Sequence, residues 1–224
     1  MPYPTKFPET QDSSYGSRRK MYKKKGKMPF SYRQQIALKQ MIHANAETKI
    51  FDTNHPSNTV LSTGTIIGPL CGMSQGSGDL QRNGDRIYIR KLYLRQTMLF
   101  ADTTNFIRVI IFQWIPNNAS ITPTFDSLLQ NTGQPITNAI NDTNNTSLFR
   151  LLSDITYSLS STGDSGALVR NTSIFGKRLG RHILEFNPGL PTGFNQIYVC
   201  VVGDSAAAPN PTYSLYSRLT YSDA

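Results

Sequence analysis

The apolar residues of this chain recur mainly at every second position, in short segments separated by Gly, Pro, Asn, Asp and Ser. A period of two is that of a β-strand, whose successive side chains point to opposite faces of a sheet. Thr, Tyr, Phe and Ile, which favour strands, are abundant, and no helical segment is long enough to connect parallel strands. The pattern therefore predicts an all-β fold with antiparallel strands.

The clearest strand, from Arg86 to Ala101, changes its apolar phase part-way along. Its first apolar residues are the odd-numbered Ile87 and Ile89. The later ones are even-numbered: Leu92, Leu94, Met98 and Phe100. Because a period of two cannot shift by one position unless the strand holds an extra residue, we predict a β-bulge near Arg90–Lys91.

The segment Phe106–Ile115 is apolar on both parities, which indicates a strand that is covered on both faces. The apolar segment Gln196–Val202 is predicted to be a central strand. Residues Phe149–Leu159 alternate between apolar and polar instead, which predicts a half-buried strand. A short helix is predicted at Phe125–Gln130, directly after Thr122-Pro123-Thr124.

Shorter or weaker strands complete the domain. They are predicted at or within Lys49–Asp52, Thr59–Pro69, Leu168–Phe175, His182–Phe186 and Tyr213–Tyr221. With about eight or nine strands and long connections, the chain fits a single eight-stranded jelly roll, which consists of two packed antiparallel sheets.

Positive charge is concentrated at the N-terminus. Residues 1–47 hold ten basic and three acidic side chains, which places +7 of the formal net charge of +9 in this segment and leaves +2 for the rest. A basic tail on a nearly neutral body indicates a polyanionic partner. We therefore divide the chain into a basic N-terminal arm, residues 1–47, and a jelly-roll domain, residues 48–224. The arm is expected to be disordered when free up to residue 30 and to form a short helix between Ser31 and Ala46.

The centre of the arm is the candidate nucleic-acid-binding site. It consists of Arg18, Arg19, Lys20, Tyr22, Lys23, Lys24, Lys25 and Lys27. Lys and Arg neutralise phosphates whatever the base sequence, and a tyrosine can stack on an unpaired base. The seven basic residues of this cluster also fit a nuclear localisation signal, read by a host nuclear import receptor. The alternative is a tail that only keeps the chain in solution.

Five basic residues outside this cluster are further candidates for contact with phosphates. They are Arg33, Lys39, Arg90, Lys91 and Arg95. The alternative for each of them is an ordinary solvated charge.

No constellation of catalytic residues is recognisable. The nearest approach to the nucleophile motif G-x-S-x-G, residues Gly163–Ala167, lacks the second glycine and lies in a polar loop. P-loop and G-x-G-x-x-G motifs are absent from the sequence. We therefore predict that the chain is not an enzyme and uses no cofactor.

Metal-ligating residues are sparse as well. His43, His55 and His182 are far apart in the sequence, and no HExxH or CxxC motif occurs. Asp79 and Asp85 share one turn-rich segment, where stabilisation of turns is favoured over a calcium site. No metal site is predicted.

Cys71 and Cys200 match no zinc or redox spacing. We expect two buried thiols, with a disulfide between them as the alternative. The N-terminus lacks the apolar stretch of a secretory signal, and no run of about 18 apolar residues occurs, so no membrane span is expected.

Five segments that follow the basic arm resemble a known family in their order. They are Gln75–Ile87 (QGSGDLQRNGDRI), Lys91–Arg95 (KLYLR), Val109–Trp114 (VIIFQW), Leu151–Asp154 (LLSD) and Ser217–Asp223 (SRLTYSD). This order resembles the capsid proteins of small circular Rep-encoding single-stranded DNA viruses (CRESS DNA viruses), the circovirus-like group. Within that group it is similar to those whose coat resembles the satellite tobacco necrosis virus coat. The resemblance covers most of residues 18–224, and Gln75–Ile87 is its most specific part.

The resemblance implies a viral capsid protein with one jelly roll. It also implies self-assembly into a small icosahedral shell, with a T=1 lattice of about sixty copies, around a single-stranded DNA genome packaged by the arm. The expected locations are the virion and the host nucleus, and an unidentified host-cell receptor is implied. Two alternatives stay open: a basic nucleic-acid-binding β-domain that does not assemble, and a carbohydrate-binding jelly roll with a localisation tail.

Overall fold

Ten strands and two short helices form the part of the chain that the computed structural model describes, residues 47–101, 104–116, 122–130, 139, 141–160, 166–176, 183–204 and 207–223. The strands are β1 (Lys49–Thr59), β2 (Thr65–Ile67), β3 (Arg86–Leu99), β4 (Thr104–Trp114), β5 (Phe149–Ser160), β6 (Ala167–Phe175), β7 (Ile183–Phe186), β8 (Gly193–Phe194), β9 (Gln196–Gly203) and β10 (Thr212–Asp223). The helices are α1 (Phe125–Leu128) and a 3-10 turn, Thr143–Asn145.

The strands form two antiparallel sheets in jelly-roll order. The first sheet runs β1-β10-β3, and both β6 and β7 pair with the far side of β3, with β8 beyond β7. The second sheet runs β2-β9-β4-β5. Apart from the two-residue β8, each sheet thus has four strand positions, and the prediction of an all-β jelly roll with two antiparallel sheets is confirmed.

One of the eight strand positions is broken, which the sequence pattern did not predict. β6 pairs with Lys91–Leu99 and β7 with Arg86–Tyr88, so the break lies opposite the residues between those two stretches. Gly176 ends β6 there, and a Cβ on it would lie 2.0 Å from the backbone oxygen of Ile89. The close approach of the two backbones is therefore possible only at a glycine.

The β-bulge predicted in the long strand is confirmed. Thr220 of β10 pairs with Lys91, whereas Tyr221 pairs with Ile89, so Arg90 is the extra residue. Buried positions are odd-numbered before the bulge and even-numbered after it. The extra residue thus lets one strand keep Ile87 and Ile89 before the bulge, and Leu92, Leu94 and Met98 after it, on the core face.

The main core fills the space between the two sheets, and a second core covers the outer side of the second sheet. Ile107, Val109 and Ile111 of β4 face the main core. Ile110, Phe112 and Trp114 face the second core, together with side chains from α1 and the following connection: Leu128, Leu129 and Ala139. The prediction that β4 is covered on both faces is confirmed from Ile107 onward, but it is wrong for Phe106, which is 42% exposed near the start of the strand.

Three other local predictions needed correction. β1 continues beyond Asp52 to Thr59 through Pro56, which is tolerated because β1 is an edge strand. The half-buried pattern of β5 is interrupted: a register shift lies opposite Ile111 and Phe112, and both Leu151 and Ile155 are exposed on this edge strand. The predicted helix at Phe125–Gln130 is confirmed but shorter, because Leu129 is already extended.

Both cysteines are buried free thiols, so the alternative of a disulfide is wrong. Burial raises the pKa of Cys71 and of Cys200 to about 12. No helix among the described residues is long and apolar enough to cross a membrane.

Candidate nucleic-acid interface

The eight arm residues predicted to bind nucleic acid, Arg18 to Lys27, lie outside the described residues. The predicted helix between Ser31 and Ala46 and the basic residues Arg33 and Lys39 lie outside them as well, as do His43 and His182. Their roles therefore stay predictions, and the described jelly roll supplies the geometry below.

The most specific block of the resemblance, Gln75–Ile87, is organised around the side chain of Arg82. This side chain is fully buried and stacks on the ring of Phe186, 4.4 Å from its centroid. Its guanidinium donates to the carbonyl oxygen of Gly84 and to Asp85 Oδ1 (2.9 Å). It also donates to the carbonyl oxygens of Asn187 (3.3 Å) and Leu190 (2.9 Å). Arg82 thus clamps the loop before β3 to the loop after β7, which is a structural role.

The closing segment of the resemblance, Ser217–Asp223, is tied to that same block. Tyr221 donates from its hydroxyl to the carbonyl oxygen of Gln81 (3.0 Å). Asp223 Oδ2 lies 2.9 Å from Lys49 Nζ, and this ammonium also donates to Asn83 Oδ1 (3.1 Å). The two motif segments therefore stabilise one corner of the subunit together.

Asp79 and Asp85, the two carboxylates considered as calcium ligands, do not form a common site. Asp85 is paired with Arg82 and Asp79 is exposed. Within the described ranges, no group of three or more His, Cys, Asp or Glu side chains is close enough to hold a metal ion.

The outer surface of the first sheet, in contrast, gathers cations and aromatic rings. We call it the basic–aromatic face and define it by the pairing of β6, β3, β10 and β1 in three adjacent rows. The rows are Phe175-Lys91-Thr220-Ile50, Ser173-Tyr93-Arg218-Asp52 and Asn171-Arg95-Tyr216-Asn54. This face therefore holds three cations, three aromatic rings and one carboxylate.

Lys91 and Arg95 lie at two ends of this face, on either side of Tyr93. The ammonium of Lys91 is 5.6 Å from the ring centroid of Phe175 and 6.0 Å from that of Tyr93. Tyr93 donates from its hydroxyl to Asn171 Oδ1 (2.8 Å). Arg95 is exposed and forms no ion pair with any described residue.

The third cation, Arg218, is held in place by Asp52. Its Nε and one terminal nitrogen each lie 2.8 Å from a carboxylate oxygen, and the same nitrogen donates to the hydroxyl of Tyr216 (3.2 Å). The hydrogen bonds from Arg218 hold the pKa of Asp52 below its ordinary value. The hydrogen bond with Asp52 raises the pKa of Arg218 and that of Tyr216. The hydrogen bonds of Arg218 to described residues use its Nε and one terminal nitrogen. The other terminal nitrogen can donate its N–H groups to a ligand.

Sequence reasoning named only part of this face. Lys91 and Arg95 were candidates for phosphate contact, and both lie on this face. A third candidate, Arg90, is the extra residue of the bulge next to Lys91. Arg218, Tyr216 and Phe175 were missed, because only the pairing of β3 with β10 and β6 places them there. Two other tyrosines of β10, Tyr213 and Tyr221, are buried in the core and do not belong to this face.

Antiparallel jelly rolls form viral capsid proteins, lectin domains and cupins, and a strongly basic N-terminal segment favours the capsid protein among these. The family model described as "Satellite tobacco necrosis virus coat protein" matches residues 21–224, and the chain belongs to that family. It is therefore a viral coat protein, a structural protein of the virion that forms a shell from copies of itself. The match confirms a viral coat protein similar to the satellite tobacco necrosis virus coat, whereas the circovirus-like group of the resemblance is not the family that matches.

A solved structure from Desmodium yellow mottle tymovirus is also similar. It has 10% sequence identity and a TM-score of 0.37, over 78% of this chain and 86% of that one. Among curated proteins no match was found.

Proposed function

We propose that this coat protein assembles into the smallest icosahedral shell, a T=1 lattice of about sixty copies, and packages a single-stranded DNA genome through its basic arm. The observation that carries this proposal is the separation of charge. Residues 1–47 hold +7 and the remaining 177 residues only +2. In a shell, such a subunit can direct its cations to a genome while the nearly neutral jelly rolls contact one another.

The arm is proposed to act through phosphate neutralisation and stacking. Each Lys or Arg that meets a phosphate releases condensed counterions, which gives affinity that falls steeply with salt and does not depend on base sequence. Tyr22 lies inside the cluster and is placed to stack on an unpaired base. These are the properties that packaging of a whole genome requires.

The arm alone does not balance a genome of kilobase length. If about sixty arms each contribute seven net charges, they neutralise about 420 phosphates, one per nucleotide. Further cations, on the jelly roll or in solution, must then neutralise the rest.

The first test is size-exclusion chromatography with light scattering on the full-length chain, with absorbance read at 260 and 280 nm at low and high salt. We expect a particle of megadalton mass that contains nucleic acid. A monomer or dimer under every condition, with nucleic acid bound and released by salt, would replace the shell by the non-assembling nucleic-acid-binding β-domain.

The arm is tested by deletion of residues 1–28 and, as a length-matched variant, by replacing its seven clustered basic residues with Gln. Both variants should keep the folded jelly roll, checked by circular dichroism, and lose most of the packaged nucleic acid. Full packaging by the Gln variant would refute the role of the cluster. Replacement of the same seven residues by the other basic residue, Lys for Arg and Arg for Lys, is the charge-preserving control.

The chemistry of the cargo is tested on nucleic acid extracted from purified particles. Digestion by DNase and by a nuclease specific for single strands is expected, with resistance to RNase. Sensitivity to RNase alone would correct the cargo to RNA and leave the shell and the arm as proposed.

We propose further that the same seven basic residues are read by a host nuclear import receptor and that an exposed surface of the shell meets a host-cell receptor, which is unidentified. Import is tested by microscopy of a fluorescent fusion in cells. The intact arm should accumulate the fusion in the nucleus, and the seven-residue Gln variant should not. Equal distribution of both fusions would contradict a nuclear signal.

A further inference from the structure

We infer that the basic–aromatic face of the first sheet is a second binding surface for single-stranded nucleic acid, separate from the arm. The ligand class is an unpaired strand with its bases exposed, held through phosphates by Lys91, Arg95 and Arg218 and through stacking by Tyr93, Tyr216 and Phe175. The inference rests on the proposed function, because it adds a contact on the jelly roll to packaging by the arm.

Charge is the first reason for this choice of ligand. Of the twelve positions in the three rows, three are cationic and one is acidic, which is Asp52. Because Asp52 is occupied by Arg218, Lys91 and Arg95 keep their full charge for a ligand. An exposed sheet face with this balance is complementary to a phosphate chain and not to a neutral or basic surface.

The aromatic rings distinguish a single strand from a duplex. Tyr93 stands between the two uncompensated cations on β3, and Phe175 lies next to Lys91 on β6. Stacking platforms interleaved with cations suit unpaired bases, whose faces are open, whereas bases inside a duplex are already stacked. Phe175 is 50% exposed, a large apolar area that a stacked base would cover.

The face is also rigid and extended enough for several nucleotides. Lys91 and Arg95 are four residues apart on one strand, so their Cα atoms are about 13 Å apart. Arg218 is fixed next to Tyr93 by two hydrogen bonds to Asp52, so little side-chain entropy is lost when its remaining nitrogen meets a phosphate. Cations at a spacing fixed by the β-sheet favour binding of an extended nucleic-acid strand.

The second sheet offers no equivalent surface among the described residues. Its outer side is covered by α1 and the connection after it, against which Phe112 and Trp114 are buried. Its one buried cation there, Arg108, is paired with Asp154 at 2.6 Å. Contact with single-stranded nucleic acid is thus favoured on the first sheet.

The test uses the full-length chain as unassembled subunits, with a fluorescein-labelled oligo(dT) and its oligo(U) counterpart as probes. Affinity is measured by anisotropy over a series of salt concentrations. If Lys91 and Arg95 each meet a phosphate, the double variant K91Q/R95Q should have a slope of log affinity against log salt that is shallower by about 1.4, at 0.7 per contact on single strands. Arg150 and Arg170 are exposed cations outside the face, so R150Q/R170Q is the charge-matched control and should keep the slope.

A second measurement does not depend on variants. Oligonucleotides that carry 4-thiothymidine are photo-cross-linked to the wild-type chain, and the modified residues are mapped by mass spectrometry. Adducts on Tyr93, Tyr216 or Phe175 are expected in addition to adducts on the arm. Adducts confined to the arm, or equal slopes for the two double variants, would overturn the proposal.

Other outcomes separate this inference from the proposed function. If K91Q/R95Q binds the probe with an unchanged slope but no longer forms particles, the face is a contact between subunits and the inference is wrong. If the wild-type chain forms no particle at all, the proposed shell fails, while the slope and the adducts still decide whether the face binds nucleic acid.

Discussion

The side chain of Arg82 joins two loops of the subunit. It is fully buried, and its fork reaches four acceptors from two loops. A lysine has no fork and cannot meet acceptors in several directions at once. The loop before β3 and the loop after β7 therefore depend on the guanidinium group and not simply on a positive charge.

We predict that Arg82→Lys lowers the free energy of unfolding by about 2–4 kcal/mol, because the buried lysine cannot replace all the hydrogen bonds that the guanidinium donates to the two loops. Urea denaturation of unassembled subunits measures the loss. The control is Arg86→Lys, a few residues away, whose exposed ion pair with Glu185 contributes at most about 1 kcal/mol. Equal losses for both variants would contradict the role given to Arg82.

The pair of Asp52 and Arg218 should make stability depend on pH. Because hydrogen bonds from Arg218 hold the pKa of Asp52 below its unfolded value of about 3.9, the pair's contribution is complete above that pH. It is lost as the pH falls through the lower, folded pKa. Asp52→Asn should lower the melting temperature of the subunit slightly near neutral pH, where the pair's contribution is complete, and should reduce the further decline below pH 4. An unaltered acid decline in Asp52→Asn would refute this linkage.

The break between β6 and β7 lies next to the bulge in β3. Arg90 is the extra residue of β3, and a Cβ on Gly176 would meet the backbone oxygen of the preceding residue, Ile89. On the other side of β3, β10 continues past the same bulge as one strand. The strand position beside β3 is thus divided between β6 and β7 at the point where Gly176 approaches the β3 backbone.

Gly176→Ala tests this feature. Its Cβ would lie 2.0 Å from a backbone oxygen that no side-chain rotation can move, so we predict a loss of about 1–3 kcal/mol in the free energy of unfolding. Gly84→Ala is the matched control, since a Cβ there meets nothing within 4 Å. Thermal and urea melts of the two variants should differ clearly; similar melts would show that the strands adjust to the added methyl group.

The elements also show what a sequence can predict in this fold. The bulge followed from the parity of Ile87 and Leu92 alone, and the two covered faces of β4 followed from its continuous apolar run. The basic–aromatic face did not follow, because nothing in a single strand states that Phe175 lies beside Lys91. Such neighbours depend on strand register, which is set by the whole core and its turns.

Most of the net positive charge lies in the N-terminal arm, whereas the packed cores lie in the jelly roll. The jelly roll combines a sandwich core with a second core on one outer side, and leaves the outer side of the first sheet to polar, cationic and aromatic residues. The arm holds most of the net charge. If genome and shell are matched electrostatically, the length of nucleic acid in a particle should follow the charge of the subunit.

This matching gives a quantitative prediction for particles assembled in a heterologous host, where the nucleic acid has no fixed length. Replacing Lys23, Lys24 and Lys25 with Gln removes three charges per subunit. If the shell is the proposed T=1 lattice of about sixty copies, the particle should then hold about 180 fewer nucleotides, at one charge per phosphate. A phosphate assay on particles of measured mass gives this number, and replacing the same residues with Arg should keep the content. An unchanged content in the Gln variant would mean that the volume inside the shell, and not its charge, limits the cargo.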